Sequence, residues 1–286
     1  MKKLNEYFQK AKAEKWAIGH FNFSTEDQLK AFVEAAAELK SPIMVAVSEG
    51  EAKYFGRPQA AALVKSFQET GNPVYLNADH HKSWETIKDA IDAGFDTVLF
   101  DGSKLPYEEN IALTKKVVTY AKKKDSDMMV EGELGYLRGD SQIQENVEIS
   151  PADYTQPEQA TDFVKKTGVD RLAIVFGNIH GIVTKQEEHL DIGLLKKIVT
   201  AVPDVYLVLH GASGLPPVEI KEAIANGITN VHINTELRVA YIDALKEAIQ
   251  KDPKQTTPYK VFGDSYEATK KAIREKLELF GSVAGI

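Results

Sequence analysis

The sequence holds seven histidines and no cysteine. Any metal it binds must therefore be held by imidazole and carboxylate groups. Five of the seven (His80, His81, His180, His210 and His232) lie at the ends of short apolar runs, and only His20 and His189 lie elsewhere. The clearest case is the run Val205–Leu209, which ends in His210 and continues as Gly211-Ala212-Ser213-Gly214. A histidine leaving a buried strand, followed by a small-residue loop with free N–H groups, suits a metal beside a phosphate. A buried histidine before a tight turn is the other reading. One histidine of the His80-His81 pair, His180 and His210 come from remote segments and could meet with a fourth position open, the composition of a catalytic zinc site. The short signature His-Glu-x-x-His is absent. Asp79 stands beside His80, where a carboxylate next to a bound cation can act as acid or base. It could instead cap the helical pattern that follows.

Something must bring these residues together. Candidate strands fall at Ala17–Phe23, Pro42–Ser48, Val74–Ala78, Thr97–Asp101, Met128–Glu133, Arg171–Phe176, Val205–His210 and Ile228–Ile233. Helical patterns lie near 26–39, 58–70, 83–93, 107–123, 158–167, 191–201, 217–225 and 235–250. This alternation predicts an α/β fold, a (β/α)8 TIM barrel, whose sites gather at the C-terminal ends of the strands. A doubly wound open sheet is the alternative, but the Gly-x-Gly-x-x-Gly turn after its first strand is missing. A lead-in helix is expected over 2–15 and a charged helical tail over 251–286. No linker rich in Pro, Gly or Ser divides residues 1–286, so one domain is expected.

The 286 residues carry a net charge of -7, which argues against a nucleic-acid partner. An acidic protein that takes an anionic substrate must focus positive charge locally, and a metal is one way to do so. No apolar run approaches the ~18 residues of a membrane span, and the N-terminus lacks an apolar signal core. A soluble, cytoplasmic protein is expected.

Six segments, in order, resemble the class II, zinc-dependent fructose-bisphosphate and tagatose-bisphosphate aldolases. They are Ala78-Asp79-His80-His81, Phe100-Asp101-Gly102-Ser103, Glu131-Gly132-Glu133-Leu134-Gly135, Gly177-Asn178-Ile179-His180-Gly181, Leu209–Gly214 and Asn234-Thr235-Glu236-Leu237. The resemblance covers roughly residues 4–280. It implies Zn2+ on His80, His180 and His210, with Asp101 and Glu133 near a second metal position. Asp79 would move the proton of the substrate's C4 hydroxyl. Gly181, Gly211, Ala212, Ser213, His232, Asn234 and Thr235 would surround the phosphate end of the substrate, the family often adding a monovalent cation, Na+ or K+. Asn22 and Ser48 would line the rest of the pocket. A ketose phosphate would then be cleaved to dihydroxyacetone phosphate and an aldehyde such as glyceraldehyde 3-phosphate, a glycolytic type of reaction. A homodimer or homotetramer is also implied.

Three departures bear on that reading. His232 replaces an Asn that in the family hydrogen-bonds the enediolate, and a neutral imidazole could donate one such bond. The loop after the fifth strand reads Arg138-Gly139-Asp140-Ser141-Gln142-Ile143-Gln144-Glu145-Asn146. Ungapped, the family's proton-transferring Glu falls on Ser141; with an insertion it falls on Glu145, which is preferred here, with Asp140 next. The family's far-phosphate Arg corresponds to the Thr257-Pro258-Tyr259-Lys260 region, and Lys is a poorer phosphate clamp than Arg. A modified ketose phosphate is therefore a candidate, as is a bisphosphate held by Lys104 or Arg57. A metal-dependent hydrolase and a non-catalytic aldolase-like subunit are the competing functions.

Overall fold

The computed structural model describes residues 2–286. The chain begins with α1 (Leu4–Glu14), β1 (Ile18–Asn22), α2 (Glu26–Glu38), β2 (Ile43–Ser48), α3 (Glu49–Phe55) and α4 (Arg57–Glu69). It continues through β3 (Val74–His81), α5 (Trp84–Asp92), β4 (Thr97–Phe100), α6 (Tyr107–Lys124), β5 (Met129–Leu134), β6 (Gly139–Gln144) and α7 (Pro157–Thr167). Then come β7 (Arg171–Ile174), β8 (His180–Val183), α8 (Ile192–Ala201), β9 (Tyr206–Leu209), α9 (Pro217–Ala225) and β10 (Ile228–Ile233). The chain ends with α10 (Thr235–Lys251), α11 (Pro258–Val261) and α12 (Gly263–Leu279). Eight of these strands close a barrel in the order β1-β10-β9-β7-β5-β4-β3-β2, so the open-sheet alternative does not apply.

The strands alternate between two surroundings, as period-2 side chains require. Outward residues such as Phe21, Val45, Leu76, Val98 and Val231 pack under the helices in one large apolar core. Inward residues form tiers. Ile18, Met44, Tyr75 and Met129 make the lowest and join Leu4, Tyr7, Phe8, Ala11 and Trp16, so α1 plugs the N-terminal end of the barrel. Two residues further along the same strands, the middle tier is polar: His20, Asn77 and Glu131, with Arg171 and Asn230, all fully buried. Two residues further again lie Asn22, Asp79 and Glu133, where the mouth opens.

Three features differ from the sequence expectation, and a fourth, the placement of the C-terminal helix, was left open by it. Ser48 does not lead straight to the next helix. Its hydroxyl accepts from Glu51 N–H while Ser48 N–H donates to the Glu51 carboxylate at 2.7 Å, a capping box that starts the extra helix α3. β3 extends to His81 instead of ending at Ala78, and β7 stops at Ile174 instead of Phe176. The loops after β5 and β7 pair as a separate two-stranded parallel sheet, β6 with β8. Finally, α12 packs on its own barrel, with Ile273, Leu277 and Phe280 buried in the core and Lys270 paired to Glu34 and Glu38 of α2. Among the described residues no helix is long and apolar enough to cross a membrane.

Candidate active site

β3 decides the geometry of the mouth. His80 sits at φ 45°, and the β3–β4 register shifts between Ala78 and His81. A regular strand would send Asp79 and His80 to opposite faces; the bulge lets both reach the mouth. Asp79 is not a helix cap, because Ser83 caps α5 through Thr86 N–H. His81 turns away, its Nε2 lying 3.3 Å from Arg57 Nη2. Burial and the Arg57 charge lower the His81 pKa to about 4.

His80 Nε2 and His210 Nδ1 face each other at 3.0 Å. Carboxylates fix both rings from behind. His210 Nε2 lies 2.8 Å from Glu131 Oε1, so that nitrogen carries the proton and Nδ1 is bare. His80 Nδ1 lies 3.3 Å from Asp101 Oδ2 and 3.2 Å from Glu133 Oε2; against its burial, Asp79 and these two carboxylates raise the His80 pKa well above the usual imidazole value, so Nδ1 keeps its proton and Nε2 is the nitrogen left to face His210. Two ring nitrogens thus converge on one point, and a cation there would displace the proton they share. The groups Asp79–His80–His210 and His80–Asp101–Glu133 each bring one ligand atom per residue within 4.8 Å of the others. His180 is not in those groups, but its ring centroid is 5.2 Å from that of His80. Burial and the neighbouring His80 and His210 lower the His180 pKa to about 3, so its ring is neutral, with one bare nitrogen available to a metal.

Asp79 is buried, which opposes ionisation. The imidazoles of His80, His20 and His210 and a 2.9 Å bond from Asn22 Nδ2 outweigh that cost and hold its carboxyl well below the usual range. Asn22 Nδ2 also reaches Glu51 Oε2 at 3.0 Å, so one amide ties Asp79 to the start of α3. Burial drives the Glu133 pKa up, as does nearby Asp101.

The inner end of the cavity is lined by Asn22, Asp79, His80, Ser141, His180, Gly181, His210, Gly211, Ser213, His232, Asn234 and Thr235. Two strands' loops and the N-terminus of α10, a 17-residue helix, thus meet around one small space. Gly211 has φ 66°, and a Cβ there would sit 2.1 Å from the Ile179 carbonyl oxygen, so the loop can only run here as glycine. Gly214 N–H donates to Glu236 Oε1 at 2.7 Å, tying the same loop to α10. Ala212 turns its methyl into the core. The outer cavity, about 600 Å³, adds Ser48, Lys82, Lys104, Asp140 and Arg238 to the lining.

β6 and β8 cover this space. His180 N–H donates to the Arg138 carbonyl at 2.8 Å, so His180 is positioned by the small sheet and not by a barrel strand. Ser141 Oγ lies 3.1 Å from Thr235 Oγ1. Glu145 is exposed and paired with Lys185 at 2.9 Å, outside the cavity, whereas Ser141 and Asp140 line it. Arg57 stays with His81 and does not line the cavity, while Lys104 does.

Sequence reading missed His20 and the roles of Glu131 and Arg171. His20 lies flat on His232, ring centroids 3.4 Å apart and planes within 4°. It is two residues from Asn22, so strand parity was the signal that could have found it. Glu131 ties His210 to Arg171, whose Nη1 is 2.7 Å from Glu131 Oε2 with both side chains fully buried.

The chain matches known proteins along nearly its whole length. The family model for class-II fructose-bisphosphate aldolase matches residues 2–284. A fructose-bisphosphate aldolase from Thermus caldophilus is 37% identical over 302 residues, covering 97% of both chains. One from Geobacillus stearothermophilus is 37% identical over 285 residues, covering 98% of this chain and 96% of the relative. The crystal structure of the YdjI aldolase from Escherichia coli K12 superposes with a TM-score of 0.83 at 33% identity, covering 98% of this chain and 97% of that one. With the barrel, the histidine cluster and this agreement in hand, the chain belongs to the class-II fructose-bisphosphate aldolase family and is an aldolase.

Proposed function

We propose that this aldolase reversibly cleaves a ketose phosphate to dihydroxyacetone phosphate and an aldehyde, using one divalent cation, Zn2+, on His80, His180 and His210. The observation that carries the reading is the pair of imidazole nitrogens, His80 Nε2 and His210 Nδ1, 3.0 Å apart and aimed at one point beside an ionised Asp79. A cation held there would supply Lewis acidity for the charge that develops beside the substrate carbonyl. Asp79, held ionised and oriented by Asn22, accepts the proton of the hydroxyl that becomes the aldehyde. The loop Gly211–Ser213, with Gly181, Asn234, Thr235 and the α10 N-terminus, binds the phosphate through N–H groups and hydroxyls, and a monovalent cation could join it there. Remote phosphate binding then orients the reacting carbon. Asp101 and Glu133 orient His80 and could serve a second metal position.

The second proton transfer belongs to the β6–β8 cover. Glu145 could reach the substrate only if that cover rearranged, while Asp140 already lines the outer cavity. Lys82, Lys104 and Arg238 are the basic side chains at the outer cavity, and they suit an anionic far end, phosphate or carboxylate. Lys260 is absent from that lining, which favours a modified ketose phosphate as the second reading.

The test is a coupled assay for dihydroxyacetone phosphate with Zn2+-loaded protein, run over ketose bisphosphates and over ketose 1-phosphates with carboxylate or neutral far ends. Release of dihydroxyacetone phosphate from at least one, lost in His210→Ala, is the expected result. Release of inorganic phosphate without triose phosphate would instead mark a hydrolase, and metal binding without turnover on any sugar would mark a non-catalytic subunit.

A further inference from the structure

The middle tier of the barrel dictates which nitrogen of His232 carries its proton. Asn230 Nδ2 donates to the Ile18 carbonyl at 2.8 Å, and Asn230 Oδ1 accepts from Arg171 Nη1 at 3.0 Å. Those two bonds fix the amide, since neither its nitrogen nor its oxygen could take the other place. His232 Nε2 lies 3.0 Å from that same oxygen, so Nε2 must be the protonated nitrogen. The ring is stacked on His20 and shares the Asn230 oxygen with a guanidinium, surroundings that favour a neutral imidazole. Nδ1 is then a bare lone pair. It lies 3.6 Å from Asp79 Oδ1 in the wall of the inner cavity, and neither atom has a hydrogen-bond partner in the protein.

The sequence reading expected His232 to donate a hydrogen bond to the substrate. The structure turns its only N–H away, onto Asn230, and presents an acceptor instead. We propose that His232 Nδ1 and Asp79 Oδ1 form a two-acceptor clamp that selects, as a hydrogen-bond donor, the hydroxyl that the dihydroxyacetone phosphate part of the substrate carries beside its carbonyl, making His232 a specificity-determining residue. Arg171 acts through Asn230 as a positioning residue for this clamp. The same guanidinium sets the neighbouring ring: Arg171 Nη2 donates to Asn77 Oδ1 at 3.2 Å, which turns Asn77 Nδ2 onto His20 Nε2 at 3.0 Å. A substrate group with lone pairs but no proton would face two acceptors and be rejected, because an unmatched polar contact in a buried site is far worse than a lost one.

The substrate part of this inference rests on the ketose phosphate reading above; the tautomer does not. Nitrogen-15 NMR of histidine-labelled full-length protein should give a pyrrole-type Nε2 and a pyridine-type Nδ1 for His232, assigned by loss of the signal in His232→Asn. The opposite assignment overturns the proposal. Competition binding to the Zn2+-loaded enzyme then compares dihydroxyacetone phosphate with its analogue in which fluorine replaces the free hydroxyl. The wild type should prefer the hydroxyl by ~30-fold or more. His232→Asn, whose amide can turn an N–H toward the ligand, should reduce that preference to within ~5-fold. An equal preference in both proteins overturns the clamp. If dihydroxyacetone phosphate fails to bind the wild type at all, the substrate reading falls, and the NMR assignment alone upholds or overturns the acceptor face of His232.

Discussion

Asp79→Asn keeps the size of the side chain and an oxygen for Asn22, but removes the charge that the proposed proton transfer requires. The expected outcome is a kcat lower by about 10³-fold, with melting temperature and metal content nearly unchanged. A stopped assay beside metal analysis checks it. Glu131 acts on the same site from below, since its carboxylate joins His210 to Arg171. Glu131→Gln should weaken metal affinity by about 10–100-fold, because the proton on His210 is no longer fixed. It should also destabilise the fold by about 3–5 kcal/mol, because Arg171 is left as an unpaired buried cation. Metal titration and denaturant unfolding measure the two effects separately. At this scale His210 was legible in the sequence as chemistry because a histidine followed by a glycine-rich turn is distinctive, and His80 because it leaves an apolar run beside Asp79. The proton positions on their rings were not. Those depend on Asp101, Glu133 and Glu131, which lie far away in sequence.

The β6–β8 sheet is the element that strand periodicity did not reveal. Its strands are short and mostly polar, with no apolar alternation to mark them. It exists because two loops leaving adjacent barrel strands can pair with each other. Gly181 shows how tight that pairing is: it has φ 97°, and a Cβ would meet the Asp140 carbonyl oxygen at 2.2 Å. Gly181→Ala should therefore separate the two strands, with faster proteolysis within residues 138–147 and a stability loss of about 2 kcal/mol or more. Glu188 supports the same region by accepting from Ile179 N–H at 3.2 Å. Burial pushes its pKa up to about 7. The folded state then holds this proton more tightly than the unfolded state, so Glu188 makes stability fall as pH rises from the unfolded carboxyl value of ~4.5 through 7. The expected loss is on the order of 2 kcal/mol. Glu188→Gln should flatten that slope, which melting temperatures measured from pH 4.5 to 8 would register.

For the whole molecule, the barrel and the proposed metal site are separable. The apolar core lies between strands and helices, and the tier beneath the mouth is held by Arg171 and its protein partners Asn230, Glu131, Asn77 and Thr97. Chelation should therefore abolish aldol cleavage while leaving the far-ultraviolet circular dichroism unchanged, and added Zn2+ should restore turnover. Loss of helical signal on chelation would show that the metal carries the fold. By itself, the sequence determined the alternating strands and helices, the barrel, the absence of thiolate chemistry and the family. Those are local or cumulative properties: periodicity, residue type and motif order survive in one dimension. Only the tertiary structure decided that His20 lies under His232, that α12 packs on its own barrel, that Glu145 stands outside the cavity, and that His232 faces the site as an acceptor. Each of these turns on which atoms meet across a closed ring. A hydrogen bond's direction is set by its partner's other bonds, and sequence spacing carries no record of those.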